Sequence, residues 1–253
     1  MLSHIWNIAL YQPLLNALAF LVSVLPGADL GLAIIVLTLL VKLILFPLSQ
    51  KSLESQAAMN LLTPELEKVK KSGATKEEQA VLTFELYKKH KINPLSGCFV
   101  VIVTFIVIIA LYRVFYHGIN FDPKLLYSFV HLPKHVNMIF LGIIDISKKS
   151  LLLAILTAIS QYFQAYFMPM PNLSSTGNSL QNSLAKSMNM QMRYVFPFLI
   201  GFISYIGTGV VALYFITSNI FAIGQQMYVR KTEKKRLAGE VKVLSSEIEN
   251  EKR

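Results

Sequence analysis

The stretch Leu30–Leu48 holds nineteen residues with one charge, Lys42, and one hydroxyl, Thr38. Wound as a helix at about 1.5 Å per residue, it is long enough to cross the hydrocarbon core of a bilayer. An ammonium inside such a span costs about 2.5–3.5 kcal/mol at the centre on insertion scales. It survives there by snorkelling, by finding a partner or by facing water. Lys42 lies six residues from Leu48, about 9 Å of helix, so it sits past the midplane toward a Lys-rich segment. Two roles are open at this point: a lysine snorkelling to the membrane face, or a positive charge in a polar cavity between helices.

The rest of the chain fits a membrane setting. Of its 253 residues 54% are hydrophobic and 15% charged, with a mean hydropathy of +0.51. A soluble domain of this size carries more charge and fewer long apolar runs. The expected class is an all-α polytopic membrane protein. The single cysteine, Cys98, forms no internal disulfide and reads as a small packing residue. The first 25 residues lack the basic start and small-residue cleavage site of a signal peptide.

Periodicity and breakers divide the chain. In residues 1–27, Leu14, Leu15, Leu18, Leu21, Val22 and Leu25 recur at helical spacing, with Asn16 and Ser23 on the other side. This predicts an amphipathic helix, Pro13–Leu25, lying in the interface, with an N-terminal span as the alternative. Residues 28–48 are the first core span. Residues 49–93 hold eight Lys and six Glu and predict an antiparallel helical hairpin. Its first helix breaks at Thr63-Pro64 and turns at Lys71–Thr75. Thr75 and Glu78 form a capping box for the second helix, whose apolar face is Val81, Phe84 and Tyr87. Asn93-Pro94 starts the next helix, and residues 94–116 are the second span. Residues 117–150 are a mixed loop segment. Its three histidines, His117, His131 and His135, match no metal-binding spacing and read as solvated. The third span is 151–168, followed by a Ser- and Asn-rich loop, 169–189. Residues 190–228 hold the fourth and fifth spans, joined by a tight reversal at Gly207-Thr-Gly209. A basic tail, 229–253, predicts a helix that frays.

Charge orients this five-span bundle. Segments 49–93, 169–193 and 229–253 hold eight, two and eight Lys or Arg, against four in 117–150. The positive-inside rule places the first three in the cytoplasm, hence the N-terminus outside and the tail inside. The excess charge then needs no nucleic acid to account for it.

The spans contain no Asp or Glu, no nucleophile–base pair and no nucleotide fingerprint. Proton-coupled pumps rely on intramembrane carboxylates or histidines. No catalytic residue, cofactor or metal site is expected. Thr38, Thr104, Ser160, Gln161, Gln164, Ser204, Thr217, Ser218 and Asn219 supply hydroxyls and amides, which pack between helices or line a wet cavity. With Lys42 they suggest a hydrophilic groove.

Four stretches resemble the YidC family of membrane protein insertases, which has mitochondrial and chloroplast relatives. They are Gly31-Leu-Ala-Ile-Ile through Leu39-Leu-Val-Lys-Leu-Ile-Leu-Phe-Pro47, Tyr87-Lys-Lys-His-Lys-Ile-Asn-Pro-Leu-Ser-Gly-Cys98, Phe196-Pro-Phe, and Ala212-Leu-Tyr-Phe-Ile-Thr-Ser-Asn219 with Gln225-Gln226. They span about residues 10–236 in the family's order. The resemblance implies five core spans, an outer interfacial helix and a cytoplasmic hairpin. It also implies a groove open to cytosol and lipid and closed outside. There one cation attracts the polar tail of a nascent membrane protein, whose apolar segment then slides into the bilayer without nucleotide hydrolysis. Lys42 stands where the family usually has Arg, keeping the charge without the guanidinium's fork of donors. Thr38 and Tyr214 correspond to substrate-contact positions, and Gln161, Gln164 and Ser218 are further groove candidates. The hairpin would guide substrates, and the large outer domain of many relatives is not present. The basic tail resembles a ribosome-docking extension, topology-setting charge being its other reading. A Sec-type translocon and the signal recognition particle receptor are further candidate partners in the inner membrane.

Two rival readings use the same residues. A small-solute channel or transporter would line a pore with them, yet no repeat relates 30–116 to 150–228. A structural scaffold would explain the hairpin and leave the cost of Lys42 without a purpose.

Overall fold

The structure, a computed structural model, describes residues 6–62, 65–66, 68–69, 72–90, 96–117, 125–131, 135–168, 187 and 190–251. Helix α1 (Gln12–Val24) continues a π-helical turn over Asn7–Tyr11. Pro13 cannot donate to the turn before it, and the chain is π-helical over that turn. Gly27 then takes a φ of 71°, which costs a residue without Cβ nothing. Asp29 caps α2 (Leu30–Ile44) by accepting from the N–H of Gly31 at 2.8 Å and of Leu32 at 3.1 Å.

The apolar run through Leu48 is not one straight helix. Pro47 has no N–H to offer the carbonyl four residues back, and its ring crowds that carbonyl. The chain turns at Leu45 and restarts as α3 (Phe46–Leu61), bent 61° from α2. Helix α3 ends just before Thr63-Pro64, which lies outside the described residues. Helix α4 (Lys76–Lys89) starts from the expected capping box: Thr75 N–H donates to Glu78 Oε2 at 2.9 Å, and Glu78 N–H to Thr75 Oγ1 at 3.3 Å. Of its predicted apolar face, Val81 and Phe84 are exposed.

Helix α5 (Ser96–His117) is followed by a short antiparallel hairpin, β1 (Ile139–Phe140) and β2 (Ile144–Asp145), paired Ile139 with Asp145 and Phe140 with Ile144. The mixed segment 117–150 thus contains strand pairing that two-residue elements are too short to signal by alternation. His131 and His135 are exposed. Helix α6 (Leu151–Phe167) is capped by Ser150, which accepts from Leu153 N–H at 3.3 Å. A π-helical turn over Gln191–Val195 leads into α7 (Phe196–Ile206). The expected tight reversal at Gly207-Thr208 leads into α8, one helix from Gly209 to Glu251 with no break where the basic tail begins. Cys98 and Thr104 fall on residues whose side chains are not described, and Asn93-Pro94 and loop 169–186 lie outside the described residues.

Helix α8 is the central post, packed on α6, α2, α3 and α5, with α7 against α6 and α1 against α2 and α5. Small residues allow this proximity. A Cβ on Gly201 of α7 would stand 2.8 Å from the Ala158 Cβ of α6, and one on Gly209 2.8 Å from the Ile146 Cα. The buried apolar core gathers Leu15, Leu18 and Val22 of α1, Leu30, Ile34 and Leu37 of α2, Leu111 and Val114 of α5, and Val210 and Leu213 of α8. All lie toward the end of the molecule that carries Asp29 and Gly209.

That end is closed by the segment around the hairpin. Leu30 N–H donates to Asn137 C=O at 3.0 Å, Asn137 N–H to Ala28 C=O at 3.0 Å, and Gly209 N–H to Lys148 C=O at 3.1 Å. Leu141 N–H donates to Asp29 Oδ2 at 2.9 Å. Asn16 does not face away from the apolar side as its place in the helical pattern predicts. It is 3% exposed, and its amide accepts from Tyr127 N–H at 2.6 Å and donates to Leu125 C=O at 2.9 Å. Ser23 is exposed as expected.

By length and hydropathy among the described residues, Asn7–Val24 and Gly209–Thr232 can each cross a bilayer. The bent pair Leu30–Ile44 with Phe46–Gln56 makes a third candidate, and Phe105–Val114 and Leu151–Phe167 are shorter apolar helices.

Candidate functional site: a cationic cleft between α2 and α8

Lys42 is twelve residues beyond Leu30, about 18 Å down α2, past the packed core. Thr38 stands one turn above it on the same face. The Thr38 hydroxyl donates to Ile34 C=O at 2.7 Å, so it is satisfied within its own helix and presents a methyl and a lone pair to the cleft. Tyr214 comes from α8. Thr38, Lys42 and Tyr214 line one narrow cleft together with Val107 and Leu111 of α5. Three of the residues singled out in the sequence are thus brought together from two distant helices.

A second cleft continues from Lys42 toward the bend. Leu48 and Ser49 of α3, Val103 of α5, and Phe221 and Gln225 of α8 line it. Gln225 Nε2 donates to Ser49 Oγ at 2.7 Å and to Phe46 C=O at 3.3 Å. The amide therefore ties the start of α3 to α8 at the point where Pro47 interrupts the helix. Ser49 and Gln225 were not among the expected groove residues. The signal for Gln225 is its spacing: Tyr214, Ser218, Ala222 and Gln225 recur at intervals of three and four along one face of α8.

Ser218 is buried one turn after Tyr214 on α8. Gln161 and Gln164 are placed differently. Gln161 Nε2 donates to Gln164 Oε1 at 2.8 Å, and neither side chain lines the two clefts around Lys42. On the same helix, Ser160 Oγ accepts from Asn219 Nδ2 at 3.0 Å, so these polar groups join α6 to α8. Gln226 Oε1 and Ser204 Oγ are buried without a hydrogen-bond partner.

Among the described residues Lys148 pairs with Asp145 and His90 Nε2 lies 3.6 Å from Glu65 Oε2, and no carboxylate pairs with Lys42. The ammonium is half-buried between helices, where a charge attracts an opposite one far more strongly than in water. The two clefts are narrow, about 10 and 40 Å³, so Lys42 can attract a carboxylate or a polar backbone group, and the helices must part for a chain to enter. Among the described residues around Lys42 there is no nucleophile paired with a base.

Residues 21–236 match the family described as 60Kd inner membrane protein. The chain is 31% identical over 229 residues to the membrane protein insertase YidC of Fusobacterium nucleatum, covering 88% of this chain and 97% of that one. It is 29% identical over 236 residues to YidC of Oceanobacillus iheyensis, with 90% and 84% covered. It is 28% identical over 234 residues to the insertase MisCA of Bacillus subtilis, with 90% and 80% covered. A crystal structure of an active YidC insertase aligns with a TM-score of 0.47 at 22% identity, over 78% of this chain and 41% of the other.

Proposed function

Because the chain belongs to the 60Kd inner membrane protein family, we propose that it is a membrane protein insertase and chaperone. It receives the hydrophobic segment of a nascent membrane protein from the cytosol and releases it sideways into the lipid bilayer. The observation that carries this reading is the placement of Lys42: a cation without a carboxylate partner among the described residues, in a cleft with Thr38 and Tyr214.

Physically, the cleft shortens the apolar path that a polar tail must cross. The core at the Asp29 end seals one side, while Lys42, Ser49 and Gln225 give the other side polar groups. An acidic tail drawn to Lys42 lies part-way across before its following apolar segment partitions. Burial of that segment in lipid then drives the step at about 25 cal/mol per Å², so no nucleotide is consumed and no bond is made or broken. Thr38 and Tyr214 contact the passing chain beside the charge. Ser218, one turn along α8 from Tyr214, extends the polar face beside it.

The topology that serves this function has five spans, with α1 in the outer interface, the α3–α4 hairpin in the cytoplasm, the N-terminus outside and the basic end of α8 inside. The hairpin guides substrates, and the basic end docks the ribosome. A Sec-type translocon and the signal recognition particle receptor are its further partners. A channel reading has no observation in its favour.

The test exchanges charges. Lys42→Arg keeps insertion of substrates with acidic tails, and Lys42→Glu loses it. Equal insertion of such substrates by the Glu variant would reject the charge role.

A further inference from the structure

The basic residues near the ends of α6, α7 and α8 serve topology in the sequence reading, yet two of them have a specific setting. Arg193, in the turn that precedes α7, holds its guanidinium over the Tyr166 ring, 5.2 Å from the centroid. Arg230 of α8 lies over Phe167, 5.8 Å from its centroid. Tyr166 and Phe167 are consecutive at the end of α6, with ring centroids 5.6 Å apart. Three elements therefore converge on one pair of adjacent rings, and each ring carries a guanidinium.

The level of this cluster follows from helix length. Arg230 is 21 residues beyond Gly209, about 31 Å along α8. That matches the roughly 30 Å thickness of the hydrocarbon core. With Gly209 at one boundary, the guanidinium lies at the other. Tyr162 and Tyr194, with centroids 6.1 Å apart, and the exposed Tyr228 flank the cluster, as aromatic side chains do at headgroup level.

The charges are not balanced by protein. Among the described residues neither arginine has a carboxylate partner, and Arg193 Nε is buried without a hydrogen bond. Stacking on a ring engages the face of a guanidinium and leaves its in-plane N–H donors free. Those donors form a fork that fits two oxygens of a phosphate. The phosphate present at this level is a lipid headgroup, and two cations without a carboxylate favour a headgroup of net negative charge.

We propose that Arg193 and Arg230, held on the Tyr166–Phe167 platform, bind the headgroup phosphate of an anionic phospholipid. The site rests on the membrane placement of the chain and not on the insertase reading, since lipid retention is read without any substrate.

The test is native mass spectrometry of the full chain released from detergent, titrated with phosphatidylglycerol or phosphatidylcholine of the same acyl chains. The wild type retains phosphatidylglycerol in preference. Each of Arg193→Gln and Arg230→Gln lowers that retention about fivefold, the effect of about 1 kcal/mol per cation near an anionic surface. Tyr166→Leu with Phe167→Leu keeps both charges and also lowers it, so the proposal stays testable should an arginine variant fold poorly. Lys88→Gln with Lys89→Gln removes twice the charge of either arginine variant elsewhere and leaves retention unchanged. Equal retention by the arginine variants, or an equal drop in the Lys88 and Lys89 variant, overturns the proposal. Displacement of the lipid by millimolar inorganic phosphate overturns it in favour of a soluble-phosphate site.

Discussion

Asp29 and Leu141, 112 residues apart, meet through a 2.9 Å hydrogen bond from the Leu141 N–H to Asp29 Oδ2. The other oxygen of the same carboxylate caps α2. One side chain therefore starts the helix that carries Lys42 and fastens the hairpin that closes that end of the molecule.

Replacing Asp29 by Ala removes the cap and leaves a half-buried N–H without its acceptor. Losses of about 1 kcal/mol for the cap and about 1–3 kcal/mol for the unpaired donor are expected. Asp29→Asn keeps the cap, turns a donor toward the Leu141 N–H or loses that contact, and falls between. Reversible unfolding in detergent measures all three, and an Ala variant as stable as the parent would show the bond to be dispensable.

Asn16 fastens the same end through α1. Asn16→Leu keeps the branched outline of the side chain but strands the Tyr127 N–H, while the Leu125 carbonyl keeps Gln12 Nε2 as a donor; the unpaired donor costs about 1–3 kcal/mol. Limited proteolysis reads the effect locally: cleavage within 125–131 accelerates while cleavage in α4 keeps its rate. Uniform acceleration would mean that Asn16 supports the whole fold rather than this clasp.

Gly201 sets how closely α7 approaches α6. Gly201→Val drives a side chain into Ala158, whose Cβ would already stand 2.8 Å from a Cβ at this position; overpacking of this kind costs about 1–3 kcal/mol. Gly201→Ala costs less, and Ala158→Gly in the same chain restores stability. If the pair shows no such compensation in a double-mutant cycle, the close approach is not what limits this position.

How much of this could be read beforehand differs from residue to residue. Lys42 stood out because a lone charge in an apolar run has few reasons to be there; the role of Thr38, one turn away, came from resemblance to a family. Tyr214 came from the same resemblance and not from any pattern in α8. Pro47 lay within the span expected over 28–48; its consequence, the break at Leu45, depends on the carbonyl that it crowds. Asn16 was misplaced because a helical pattern sorts residues by polarity alone. It cannot know that a loop more than a hundred residues away will deliver a carbonyl and an N–H to that position. Gln161 and Gln164 were sound as polar groups in a span, yet they bond each other, since two amides three residues apart on one helix are already within reach.

Gln225 and Ser49 offer a direct check on the polar side of the cleft. Single replacements Gln225→Leu and Ser49→Ala should couple by about 0.6 kcal/mol in a double-mutant cycle, the usual size for a hydrogen bond between membrane helices. Additive effects would place the two groups in separate environments.

The central claim is that Lys42 draws a polar tail into the cleft. The most direct measurement uses sealed liposomes containing the purified protein and a freshly synthesised short membrane protein with an acidic tail. Protease protection of that tail is scored for the wild type, for Lys42→Ala and for empty liposomes. Protection by the wild type that falls toward the empty-liposome level in the Ala variant is the predicted result. Equal protection by the wild type and the Ala variant would contradict the account.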